Sequence, residues 1–172
     1  MRKIHSAPLV LLFVAALSSL AFVGCGESDP KALTDAATEA IQVRDFKGGL
    51  ANFDAALAHM DAANPQYMRA SLGRCVALAH VDPAKGKEEF LKLAEALKAK
   101  LTPADVHFVV SAFVGARELE HATDIMERMK AMFPLSKEMQ DIGNSVADAA
   151  IKAGDTKVQE KLRGLGYVGS AK

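Results

Sequence analysis

An acidic residue followed by a helix-starting position recurs along the chain at nearly constant spacing. The four pairs are Asp45-Phe46, Asp82-Pro83, Glu118-Leu119 and Asp155-Thr156, and their second residues lie 37, 36 and 37 positions apart. A period of that length constrains the fold more than any other feature, because it marks one supersecondary unit copied along the chain. Three residues past each of the first three anchors stand Gly49, Gly86 and Ala122, all small. Seven past stand Phe53, Phe90 and Met126, all large, and ten past stand Ala56, Leu93 and Met129. Six and five residues before the anchors, the columns read Ala40, Ala77, Phe113, Ala150 and Ile41, Leu78, Val114, Ile151, every member apolar.

Columns of this kind follow from close packing of two antiparallel helices. A small residue on the second helix lets the first approach, and the large residue one turn later fills the space above it. From Lys31 onward apolar residues recur at helical spacing, with no alternating strand pattern, so the fold class expected is all-α. Asn64-Pro65, Asp82-Pro83 and Thr102-Pro103 each place a capping residue before a proline, which predicts three helix starts. Asp105 adds negative charge to the first turn after Thr102, and Ser136 and Asp155 are further expected N-caps. One helix pair cannot bury its apolar face alone, so neighbouring pairs must stack. The fourth unit departs from the columns, with Gln159 and Arg163 at the small and large positions and Gly164-Leu165-Gly166 ending its helix early. It is expected to be a truncated cap, with Tyr167 and Val168 folding back over the last apolar groove.

The acid at the turn, the small and then bulky residues of the second helix, and Phe133-Pro134 closing the third unit resemble the tetratricopeptide repeat. The resemblance runs from Lys31 to about Arg163, and its best segment is Ala116-Arg117-Glu118-Leu119-Glu120-His121-Ala122, continuing through Met126, Met129 and Pro134. The units exceed the usual length of about 34 residues, and Arg74 and Val110 stand where that family usually has glycine. The resemblance implies a short α-solenoid of about four antiparallel pairs spanning residues 31–164, with a tail at 165–172. It also implies that the first helix of each unit lines a concave groove, whose candidate partner-binding residues are Thr34, Ser71, His107 and Asn144 in one column and Thr38, Cys75 and Ser111, with Asp148, in the next. The Lys/Asn/Arg set by which some members of that family hold a peptide carboxylate is missing from these columns. Extended-peptide or helix binding remains, as does a groove face that is only solvated.

Residues 1–24 have the layout of an export signal: Arg2 and Lys3, an apolar run from Ala7 to Val23, then small residues. Phe22-Val23-Gly24-Cys25 resembles the lipobox of bacterial lipoproteins. That resemblance implies cleavage before Cys25, lipidation of Cys25, and a short tether through residue 30 with a reach of at most about 20 Å. The alternatives are an ordinary secretory signal cut after Ala21 and an uncleaved span, for which the apolar run is at the short limit of the about 20 residues needed. The lipobox reading places the protein in the bacterial cell envelope, lipid-anchored and facing the periplasm or exterior. Multiple acyl chains hold such a protein on a membrane far longer than one. Cys75 is then the single remaining thiol, a small apolar residue on a helix.

With 21 basic and 21 acidic residues, the chain has no electrostatic footprint for nucleic acid. Its five histidines, His5, His59, His80, His107 and His121, have no shared-face spacing, so no metal or other cofactor is expected. Gly48-Gly49 lies inside a helix and lacks the lysine of a phosphate loop. Glu88-Glu89 and Glu118/Glu120 are acids on diverging helix positions and read as solvated surface. Enzyme activity is therefore not expected. The function these features favour is a membrane-anchored scaffold for a protein partner. The alternative is a small-ligand or lipid-cargo binder using the apolar cluster Val106, Val109, Val110, Phe113 and Val114.

Overall fold

The computed structural model describes residues 29–134 and 136–167. The expected signal, Cys25 and most of the tether lie outside the described residues, as does Val168. Among the described residues the chain forms helices only: α1 Pro30–Gln42, α2 Phe46–Ala58, α3 Tyr67–Val81, α4 Pro83–Ala96, α5 Pro103–Gly115, α6 Leu119–Lys130, α7 Lys137–Ala153 and α8 Thr156–Gly164.

All four sequence anchors open a helix: Phe46, Pro83, Leu119 and Thr156 are the first residues of α2, α4, α6 and α8. Asp45, Asp82 and Asp155 accept the backbone N–H three residues on, at 2.9, 3.2 and 3.0 Å, while Glu118 makes no side-chain cap. Thr102 and Asp105 form a reciprocal capping box: the Thr102 N–H donates to Asp105 at 2.8 Å and the Asp105 N–H donates to Thr102 Oγ1 at 3.3 Å. Ser136 caps α7 through the Met139 N–H at 3.0 Å. Asp29, expected in the tether, already caps α1, with Pro30 in its first turn.

Asn64-Pro65 does not start a helix. The Asn64 side chain is engaged by the Gln66 N–H at 2.8 Å in an Asx turn, so α3 begins two residues later without a side-chain cap.

The turns inside three of the four units share one geometry. Arg44, Arg117 and Gly154 adopt φ of 64°, 66° and 69°. The next N–H, on Asp45, Glu118 or Asp155, donates back to the carbonyl of Ala40, Phe113 or Ala150 at 2.8–2.9 Å. This is the Schellman closure, and it explains why the acid and the column six residues before the anchor repeat together. The second unit differs, since Asp82 N–H donates to Leu78 in ordinary helical fashion at 2.8 Å.

The small column works as expected. A Cβ on Gly49 would lie 3.1 Å from Ile41, and one on Gly86 would lie 3.0 Å from Leu78 Cβ, so each second helix rests on the residue five before its own anchor. In the fourth unit the larger Gln159 occupies that position and donates to the Ala150 carbonyl at 3.3 Å. Ile151, expected among the packed columns, is 59% exposed.

Each helix packs on its sequence neighbour within a unit, α3 also packs on α2 and α5, and α5 on α7. α4 packs on α6 and α6 on α8. The core draws on every pair, with Leu78 of α3, Phe90 of α4, Val106, Val109, Val110 and Phe113 of α5, Met126 of α6 and Ile142 of α7 all fully buried. At the C-terminal end, Tyr167 folds back as expected. Its N–H donates to the Leu162 carbonyl at 3.0 Å across Gly166, whose φ is +81°, and its ring lies on Gly143 of α7.

Candidate functional site

The first helices of three units, α1, α3 and α5, enclose an open apolar trough of about 410 Å³. Ile41, Phe53, Met68, Leu72, Val76 and Phe108 supply its apolar surface. Local helical geometry sets this face. On α3, Met68, Leu72 and Val76 follow one another at four-residue spacing and turn a single stripe toward the trough. Gly73 admits the Phe53 ring from α2, since a Cβ there would overlap it, with Phe53 Cε1 at 2.8 Å. Phe108 stands on the rim with 53% of its surface exposed, an unusual position for an aromatic that has buried neighbours on the same helix.

Every polar side chain lining the trough has an internal partner. Arg69 donates to Asp35 at 2.7 Å and to Thr38 Oγ1 at 3.3 Å, and Thr38 in turn donates to the Thr34 carbonyl at 2.8 Å. The Asp105 carboxylate accepts from the Thr102 N–H and hydroxyl at 2.8 and 2.6 Å. An occupant therefore meets hydrocarbon and satisfied polar groups, and charge contributes little to its selection.

The expected groove columns do not form one surface. Thr34, Ser71 and Cys75 are buried, and only Thr38 lines the trough. His107, Ser111 and Asn144 are exposed, as is Asp148, but on α5 and α7 away from the trough lining. On α3 the stripe facing the trough lies one residue further along, at Leu72 and Val76 rather than Ser71 and Cys75. The reason is that α3 is covered on nearly all sides, so its short polar residues mark internal packing instead of an open face. The cluster Val106, Val109, Val110 and Phe113 is buried core, which removes it as a ligand surface. The sequence signal for the trough was Phe108, an exposed large hydrophobic on the otherwise apolar and well-buried α5.

Ser71 and Cys75 instead floor a second opening, about 620 Å³ in volume, between α2 and α4. Arg74 lies at its base, its side chain only 17% exposed, and forms ion pairs with Asp54 of α2 and Glu89 of α4. Glu89, expected to be solvated surface, thus has a fixed partner. Burial pushes the Cys75 thiol up to about 12, with Arg74 acting weakly the other way, so this thiol stays protonated and unreactive. Further along, Asp124 receives Lys87 at 2.6 Å and Lys161 at 2.7 Å. Partial burial opposes its ionisation, but the two lysine hydrogen bonds outweigh that and hold its carboxyl below the usual value.

Among the described residues, no group of three or more His, Cys, Asp or Glu side chains is placed to hold a metal ion, and no helix is long and apolar enough to cross a membrane. No family model matches the chain, and no curated protein or solved structure matches it.

Proposed function

We propose that this protein is a lipid-anchored interaction module of the bacterial envelope, in which four helix pairs stack as a short tetratricopeptide-like solenoid and present the α1–α3–α5 trough to a partner protein. The trough carries the reading: an apolar opening of about 410 Å³ with a half-exposed aromatic on its rim. A phenylalanine buried by a partner contributes a large apolar area to an interface. The repeat columns and the pairing of α1 with α2, α3 with α4, α5 with α6 and α7 with α8 support the stacked arrangement. Anchoring rests on the lipobox-like stretch ending at Cys25.

The partner segment best suited to the trough is an apolar helix face. An extended peptide would bring unpaired backbone N–H and C=O groups against a surface with no free partner for them, and each such group left unsatisfied costs about 1–3 kcal/mol. A helix satisfies its own backbone and offers a stripe of side chains. A photoreactive phenylalanine at position 108, irradiated in intact membranes, tests this. The expected result is a discrete protein adduct that disappears when Met68→Glu places a charge in the trough. Absence of any adduct would overturn the reading.

A second reading, an apolar small ligand or lipid cargo, draws on the volume, which lies within the roughly 300–1,000 Å³ range of ligand pockets. Lipid adducts from the same probe would favour it over the protein partner.

A further inference from the structure

The buried core is divided. One cluster runs through α3 to α8 from Leu72 to Tyr167, whereas the first pair joins α3 through a separate group of three buried residues, Ala37 of α1, Phe53 of α2 and Ala70 of α3. α2 stands away from α4, and the second opening occupies the gap. α1 touches α3 only lightly, so the first pair meets the rest of the molecule chiefly through α2 on α3. Ile41 packs against both clusters, and the specific ties include the Phe53 ring on Gly73, the Phe46 ring stacked on His80 with centroids 3.7 Å apart, the Asp35–Arg69 pair at 2.7 Å, and the Asp54–Arg74 pair. By contrast, α4, α6 and α8 are laced together by Lys87, Asp124 and Lys161 above a continuous core.

Free energy of local opening follows the apolar surface and hydrogen bonds that an opening exposes. We infer that α1 and α2 act as a hinged flap: the pair swings away from α3 while α5 to α8 stay packed, and its position sets the width of the trough. Thr38, Ile41 and Phe53 belong to the flap, and Met68, Leu72, Val76 and Phe108 belong to the fixed wall. The same swing uncovers Cys75, which is 3% exposed and lies on the floor between α2 and α4. Arg74 is the latch, because it forms ion pairs with both helices across that gap, with Asp54 of α2 and Glu89 of α4. The flap is independent of what occupies the trough, so its failure would leave the proposed function standing.

The test uses the full-length chain carrying Cys25→Ser, which leaves Cys75 as the reporting thiol. Native-state hydrogen exchange in sub-denaturing urea is measured together with Cys75 labelling by a thiol reagent, normalised to the unfolded chain. The expected result is that amides of α1 and α2 and the Cys75 thiol share one opening, at least about tenfold more populated than the opening of α5 and α7. Arg74→Met should raise that shared opening by about tenfold while α5 and α7 change less than about twofold. If Arg74→Met fails to fold, Asp54→Asn breaks the latch from the α2 side, where the carboxylate is 52% exposed. Exchange of α1 and α2 in step with α5 and α7, Cys75 labelling at the α5 rate, or equal acceleration of both ends by the latch variants would each overturn the flap.

Discussion

Both ends of the molecule seat an aromatic ring on a glycine, Phe53 on Gly73 near the N-terminus and Tyr167 on Gly143 near the C-terminus. Their surroundings differ. Tyr167 belongs to the main core and is reinforced by the left-handed turn at Gly166 and by Lys130, which donates to the Leu165 carbonyl at 2.6 Å. Phe53 sits between an open trough and a small cluster with Ala37 and Ala70, edged by the partly buried Ile41, Leu57 and Met60. The same device therefore seals one end and leaves the other adjustable, because a ring stabilises only as much structure as its neighbours connect it to.

The largest effect expected from breaking this contrast is Phe53→Ala, which should cost about 3–5 kcal/mol by removing a fully buried ring. Urea unfolding checks it, and a cost below about 1 kcal/mol would mean the ring is not seated on Gly73. At the sealed end, Gly143→Ala should cost about 1–3 kcal/mol, since the new Cβ would fall 2.5 Å from the Tyr167 ring and force it outward. Hydrogen exchange should then show α7 and α8 loosening with α1 unchanged.

Arg117→Gly should stabilise by roughly 0.5–1 kcal/mol, because Arg117 holds φ 66° where glycine bears no Cβ strain, as Gly154 does at φ +69° in the next unit. A melting temperature that falls would show that the arginine side chain contributes more than its backbone costs.

The smallest effect concerns pH. Desolvation against Phe46, with Arg44 nearby, holds His80 below its ordinary value. The unfolded chain binds the proton first, so stability is full above about pH 6.5 and declines as pH falls below it. Urea midpoints at pH 7.5 and 5.0 should differ less in His80→Phe than in the parent. Loss of the Asp124 pairs belongs to a separate, lower window, because a depressed carboxyl releases its contribution only as pH falls below about 4.

Much of the helix layout was legible without coordinates, since the acids at 45, 82, 118 and 155 mark four helix starts, three of them through cap hydrogen bonds local to each turn. The close approach at Gly49 and Gly86 was legible for the same reason, because the contact lies within one helix pair. The candidate site was legible only at Thr38. Ser71 and Cys75 are short and polar enough to suggest a groove, but α2 and α4 bury them, and nothing within α3 records which neighbours will cover it. Asn64 misled in another way: its side chain accepts from the Gln66 N–H in an Asx turn and caps no helix.

What the sequence determined by itself is the periodic alternation of helix starts, close contacts and large core residues, because caps, turns and pair packing act over distances of a few residues to one unit. What the tertiary structure decided is which face of each first helix stays open, that Arg74 bridges α2 and α4, and that the core splits after the first pair. Those outcomes depend on how successive units rotate against one another, a sum of many small packing preferences that no single stretch of residues encodes.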